Sequence, residues 1–424
     1  MISNPIDYDT TAAGIPVMAE TIPGSASAGY MVAVRAGSRD ETAGLYGISH
    51  LLEHTVFRAT GTRTSFQMAK EMEGAGGELN AFTGKEVTAF FGVTLKETGE
   101  VARKLVADIV ADPLISAKDT ALEKEIVLQE LSMVKSEPKE YIHDLFEQHL
   151  WAGSRLGQDE GGTEESVQAL NEEALRRYYT ERYGRETMAV FATGSVDIDE
   201  TREWAERSLD HLVAQRVPSR DLTAKVPAAY KVVANHEDHC QVAFGFPSAP
   251  ANEEERMAEA LLSAVLGAGT SSRMFQQVRE KQALVYSIYN AAEHYSDAGY
   301  VSTFFSCTER NVVPALQNVA RIYGEMARDG PEPGELARTK NLIKGGIVRA
   351  MEPTEERLVR LCRDYLGHGR CRSLEQITAE IDAVTDGDLR KAAQRVIDRN
   401  ALNVTVLGEC GKEVQKFDLN ALKL

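Results

Sequence analysis

ALRRYYTERYGRETMAVFATGSVD, residues 174–197, and DLRKAAQRVIDRNALNVTVLGECG, residues 388–411, are two versions of one pattern. Aligned without gaps, Leu175 meets Leu389, Arg176 meets Arg390, Arg185 meets Arg399, Val190 meets Val404 and Gly194 meets Gly408. Each stretch opens with helical periodicity and closes on an apolar strand that ends at glycine. The copies stand 214 residues apart in a chain of 424. A period of half the chain points to a duplicated domain.

Working outward, residues 1–212 form the first half and 230–424 the second. Between them VAQRVPSRDLTAKVPAA, residues 213–229, has two prolines, mixed charge and little periodicity, and reads as a linker. MVAVRAGS (31–38) and VTAFFGVTL (87–95) read as strands in the first half, CQVAFGF (240–246) and GYVSTFFSC (299–307) in the second. Amphipathic helices follow, such as TGEVARKLVADIVADP (98–113) and SAKDTALEKEIVLQELSMVKS (116–136). Strands at hairpin-like spacing mixed with helix pairs predict an α+β fold. Each half is a sandwich of a mostly antiparallel sheet with helices on one face.

Composition narrows the function. The chain is 43% hydrophobic and 26% charged, which suits globular domains with real cores. Its 47 Lys+Arg against 64 Asp+Glu leave a formal charge of −17, which argues against a nucleic-acid binder working through overall attraction. Five scattered cysteines, odd in number and without a C-x-x-C pair, read as a chain kept reduced. The first twenty residues show no basic or apolar leader region, and no apolar run reaches the ~18 residues of a spanning helix. No membrane segment and a cytoplasmic location are the expectation.

The chemistry gathers in GLYGISHLLEHTVF, residues 44–57, where His50, Glu53 and His54 form H-x-x-E-H. On a helix the two histidines stand one turn apart on one face, a spacing at which two imidazoles can share a zinc ion. Glu53 sits beside them and can take a proton from an attacking water. The pattern is the inverse of H-E-x-x-H and is the inverzincin signature. Two histidines hydrogen-bonded within a core are the alternative reading of the same spacing. A catalytic zinc takes a third protein ligand. ALEKEIVLQELSMVKSEP, residues 121–138, offers Glu123 and Glu130 seven residues apart on one helix face, with Val127 between them and Ile126 and Leu131 flanking. A carboxylate on so apolar a face needs a positive partner, such as a metal ion. An exposed, salt-bridged helix edge is the other reading.

Over nearly its whole length the sequence resembles the pitrilysin and mitochondrial-processing-peptidase family of zinc metallopeptidases, particularly its short bacterial-type members. The likeness is carried by AGSRDETAGLYGISHLLEHTVFRATGTRTS (36–65), GGELNAFTGKEVTAFFGV (76–93), EKEIVLQELSM (123–133) and YYTERYGRETMAVFATGSVD (178–197). The 76 residues from His54 to Glu130 match the family's spacing to its distal glutamate. The resemblance implies a zinc endopeptidase with one zinc per chain, held by His50, His54 and Glu130. Glu53 would be the general base, and Glu123 would stand behind the ligands and tune them.

It further implies that Asn80 and Ala81 contact a substrate backbone at an exposed sheet edge, where an extended peptide adds as a strand. In LGAGTSSRMFQQVREKQALVYSI, residues 266–288, Arg279 and Tyr286 match a pair that holds substrate near the scissile bond. Ala283 and Val285 stand where many relatives carry smaller residues (often Gly and Ala), which implies a stiffer or shifted loop before Tyr286. The second half has no metal motif. His236, His239 and Cys240, like Cys362, His368 and Cys371, have partly metal-like spacing but read as loop and strand-end residues.

Family members of this length pair to enclose a chamber, so unfolded peptide substrates and a homodimer are expected, with a heterodimer as the variant. Two rival functions share the motifs. One is a non-catalytic partner subunit, which usually lacks part of the set His50, Glu53, His54 and Glu130. The other is a processing protease specialised for one leader peptide.

Overall fold

The computed structural model describes residues 4–220, 226–236, 239–250 and 255–424; the linker segment 221–225 lies outside the described residues. Eleven strands build two sheets: β1 (Ile6–Thr10), β2 (Pro16–Thr21), β3 (Ser27–Val34), β4 (Glu78–Thr83), β5 (Thr88–Leu95) and β6 (Met188–Gly194), then β7 (Ala229–Val233), β8 (Cys240–Ser248), β9 (Ser287–His294), β10 (Gly299–Cys307) and β11 (Asn403–Leu407). The first sheet runs β1-β2-β6-β3-β5-β4 and the second β7-β11-β8-β10-β9. In each, one parallel pairing (β2 with β6, β7 with β11) stands among antiparallel ones. Leaving out β1, the two orders superimpose strand for strand. The duplication seen in the sequence is a duplication of topology.

The first-half helices are α1 (Ile48–Val56), α2 (Ser65–Gly74), α3 (Gly99–Ala111), α4 (Ala117–Ser136), α5 (Pro138–Leu150), α6 (Glu164–Ala169), α7 (Glu172–Arg182) and α8 (Ile198–Leu209). The second half supplies α9 (Arg256–Gly267), α10 (Val312–Asp329), α11 (Glu335–Ala350), α12 (Thr354–His368), α13 (Leu374–Ala383), α14 (Asp386–Val396) and the short α15 (Lys412–Gln415). No described helix is long and apolar enough to cross a membrane.

The chain divides into two compact units that are not contiguous in sequence. The first comprises Met1–Ser132, Gln158–Asp221 and Val348–Glu375; the second comprises Met133–Gly157, Leu222–Ile347 and Gln376–Leu424. In the first unit, Val32, Phe90 and Val190 on one sheet face pack with Ile48 and Leu51 of α1 and Leu105 of α3. The opposite face, carrying Met31, Phe91 and Phe191, is covered by Leu358, Leu361 and Cys362 of α12. Arg357 and Arg360 of that helix hold the buried Glu20 of β2.

The second unit mirrors this arrangement. Its inner core joins Phe244 and Val404 to Leu262, Leu316 and Leu389, while Ile142, Leu145 and Phe146 of α5 cover Ala243, Tyr300 and Phe304. The one-face sandwich read from the sequence is thereby corrected, since both faces of each sheet are covered. The physical reason lies in the strands. β6 and β10 are buried at every residue, which a sheet with one wet face does not allow.

Candidate metal centre

Helix α1 is fixed at its start by Glu41, whose buried carboxylate accepts from the Gly47 and Ser49 N–H groups at 2.8 Å each. A carboxylate there satisfies amides that have no partner within the helix, and burial raises its pKa to about 8. Leu51, Leu52 and Val56 face the core. That orientation leaves His50, Glu53 and His54 together on the other side of the helix.

The Nε2 atoms of His50 and His54 approach to 3.3 Å. Glu130 of α4 brings Oε2 to 3.4 Å from His54 Nε2 and 3.7 Å from His50 Nε2. Among the described residues, these three form the one group of His, Cys, Asp or Glu side chains whose donor atoms all lie within 4.8 Å of one another. Two ligands each ~2.0–2.1 Å from one tetrahedral ion would lie about 3.3–3.4 Å apart. The nitrogen pair and the nearer oxygen contact have that separation.

Protonation agrees with the spacing. Glu123 accepts at Oε2 from His54 Nδ1, 3.1 Å away, which leaves the His54 Nε2 lone pair pointing at His50. Burial, helped by His54, holds His50 down at about 4, so it is a neutral imidazole at neutral pH and can present Nε2 as a ligand atom. With the His50 proton on Nδ1, both Nε2 lone pairs and the Glu130 carboxylate converge on one point, an arrangement that a cation stabilises. The donor set therefore fits a zinc ion.

Glu123 is 5% exposed; it accepts from His54 on one side, and its charge is balanced by Arg58 on the other, with Arg58 Nη1 3.4 Å from Oε1. The positive partner that its apolar helix face requires includes this arginine. Arg58 was missed in the sequence, although its place four residues after His54 was a usable signal. Glu53 points toward strand β4, where Thr83 donates a hydrogen bond to Oε2. Burial pushes Glu53 above the usual carboxylate range, against the lowering effects of Thr83 and His54. Thr83 was also missed; it falls in the quoted GGELNAFTG but offers no motif of its own.

Asn80 and Ala81 lie on β4, the open edge of the first sheet, in register with Phe91 and Phe90 of β5. Gly77, just before β4, lets the backbones close up, since a Cβ there would stand 2.4 Å from the Val93 carbonyl. Arg279 and Tyr286 belong to the second unit. Arg279 lies in a π-helical turn, Phe275–Glu280, with its guanidinium 4.5 Å from the Phe275 ring centre. Tyr286 is 57% exposed, its N–H donates to the Ser306 carbonyl and its ring packs edge-on to His239.

Between Arg279 and Tyr286, Ala283 has φ 51°, the one described non-glycine residue with positive φ. A side chain there costs roughly 1–2 kcal/mol that glycine would avoid. His236 is exposed beside Glu409, while Glu237 and Asp238 lie outside the described residues. Neither His236 nor His239 joins a ligand cluster among the described residues.

The chain is 32% identical over 404 residues to an uncharacterized zinc protease of Mycobacterium leprae, covering 94% of this chain and 91% of the relative. It is 27% identical over 379 residues to the uncharacterized zinc protease YmxG of Bacillus subtilis, covering 88% and 90%. Residues 16–164 match the family model described as insulinase (peptidase family M16), and residues 169–343 the one described as peptidase M16 inactive domain. The chain belongs to peptidase family M16.

The same fold appears in a protease from Helicobacter pylori, with TM-score 0.87 and 18% identity over 95% of this chain and 99% of that one. It also appears in a chain of complex III2 from Candida albicans, with TM-score 0.85 and 18% identity over 98% of both chains.

Proposed function

We propose that this chain is a zinc-dependent endopeptidase that cleaves unfolded peptides, with one zinc held by His50, His54 and Glu130. The observation that carries this reading is the pair of imidazole Nε2 atoms 3.3 Å apart with the Glu130 carboxylate beside them. Bound zinc supplies Lewis-acid polarisation of a peptide carbonyl and makes water acidic enough to lose a proton near neutral pH. The remaining work falls to the protein. Glu53, raised by burial and tethered by Thr83, takes the water proton and can pass it to the leaving amine. Glu123 holds His54 in the tautomer that presents Nε2, and Arg58 holds Glu123.

Asn80 and Ala81 on the open edge of β4 would pair with an extended substrate backbone, and Arg279 and Tyr286 would donate to its carbonyl groups. This reading makes the second copy of the chain the natural partner, because one chain carries both the metal motif and the Arg279–Tyr286 pair. The odd number and scatter of its cysteines favour a cytoplasmic location. The non-catalytic alternative is disfavoured by the complete donor set.

Metal analysis and an internally quenched peptide assay test the proposal. Purified protein should carry about one zinc per chain, lose peptide cleavage on chelation and regain it with zinc. Cleavage that survives complete metal removal would defeat it. Glu123→Gln should keep the fold and weaken zinc binding about 10–100-fold in a competition titration. An unchanged affinity would remove Glu123 from its supporting role.

A further inference from the structure

Two thiols face each other in the second unit, apart from the metal centre and unused by the proposed chemistry. Cys240 opens β8, and its Sγ lies 3.7 Å from the Sγ of Cys410, in the turn that follows β11. The approach is built into the ladder. Leu407 of β11 is in register with Gln241, which brings Gly408 alongside Cys240. A Cβ at Gly408 would stand 2.8 Å from Cys240 Sγ and 3.0 Å from its Cα, so only glycine leaves room for that side chain to reach across.

The turn beyond is held in place. The Gly411 N–H donates to Glu309 Oε1, and Gln415 Nε2 donates to the Cys410 carbonyl. An open cavity of about 590 Å³ lies against it, lined by Glu309, Glu409, Cys410 and Gln415 among others. Cys240 is buried and Cys410 half-buried, so one sulfur meets solvent and its partner waits behind it.

We infer that Cys240 and Cys410 form a reversible disulfide, made by exchange with a small-molecule disulfide that enters through this cavity. The Cys410 thiolate attacks the small disulfide RSSR, forming Cys410–S–S–R and expelling RS⁻. Cys240 then loses its proton to solvent and attacks the Cys410 sulfur, and the second RS⁻ leaves. Two protein thiols are oxidised to one disulfide, and RSSR is reduced to two thiols.

Closing from 3.7 Å to the ~2.05 Å of a disulfide asks for about 1.7 Å of movement shared by two side chains. Sharing of a hydrogen between the sulfurs favours the ionised form of Cys240, the sulfur that closes the bridge, and pushes the Cys410 thiol up, so the first attack needs Cys410 to give its proton to solvent. The other three cysteines are poorly placed. Cys307, opposite Cys240 in the β8–β10 ladder, is sealed in the core, and Cys362 and Cys371 are buried in the first unit. The bridge would join the first residue of β8 to the chain beyond β11, and His239, next to Cys240, packs on Tyr286. The inference does not depend on peptidase activity.

The test uses the full chain equilibrated in buffers of oxidised and reduced glutathione, alkylated and mapped by mass spectrometry. Two of the five thiols should become protected in oxidising buffer, with the Cys240 and Cys410 peptides joined. Reduced glutathione should restore both thiols, Cys410→Ser should abolish the link, and Cys362→Ser should retain it. All five thiols alkylated in the most oxidising buffer would overturn the inference. So would glutathione trapped on Cys410 alone, or a link from Cys240 to Cys307.

Discussion

Glu53→Gln is expected to retain zinc and to lose about 10²–10⁴-fold in peptide turnover. Glutamine has the same length and shape, and its amide oxygen can still accept from Thr83, so the side chain should stay where Glu53 lies beside α1. The amide cannot take a proton from water at neutral pH. Burial presses the wild-type carboxyl upward, toward the pH at which it must accept a proton and release it again. Both parts of the result matter. Metal content read alongside turnover in quenched-peptide assays separates a lost base from a lost ion. A zinc-loaded Glu53→Gln protein cleaving at the wild-type rate would take Glu53 out of the chemistry.

His54→Ala is expected to drop zinc content from ~1 per chain to background, with activity falling in parallel, because it removes one of three protein ligands. It removes more than a ligand. His54 is also the group that Glu123 contacts at 3.1 Å, so its loss leaves Glu123 buried with Arg58 as its remaining close partner. Unfolding should therefore be followed in the same samples. Full zinc occupancy in a folded His54→Ala chain, measured by elemental analysis, would contradict the ligand assignment. His50→Ala gives an independent reading, since His50 Nδ1 makes no hydrogen bond and the substitution disturbs little besides the site.

The candidate ligand cluster was largely readable before the fold was known. His50 and His54 share one helical turn, and the helix turns them to the same side because Leu51, Leu52 and Val56 must face the core. Glu130 could be paired with them only through a family spacing, since nothing local in α4 says that it meets α1. Thr83 was beyond sequence reasoning for the same reason, and Arg58, though signalled by its place four residues after His54, has a partner that only the fold reveals. Their roles arise from contacts across elements, to Glu53 and to Glu123. The duplicated topology was readable from one helix-strand pair. What was not readable is which sheet each amphipathic helix covers. An apolar stripe such as Leu358–Leu361–Cys362 states that the helix is covered, without saying by what.

The exchange of α5 and α12 has a consequence for how the molecule is made. The first unit draws on residues up to Glu375, and the second begins at Met133. A ribosome that has delivered only the leading half of the polypeptide has delivered neither unit whole. Until the later segment emerges, the sheet face bearing Met31, Phe91 and Phe191 has no cover, while α5 waits for strands still to be synthesised. Each unit's cover is therefore completed only once the later segments are made, and cutting the gene at its midpoint is expected to leave an apolar sheet face bare in each fragment.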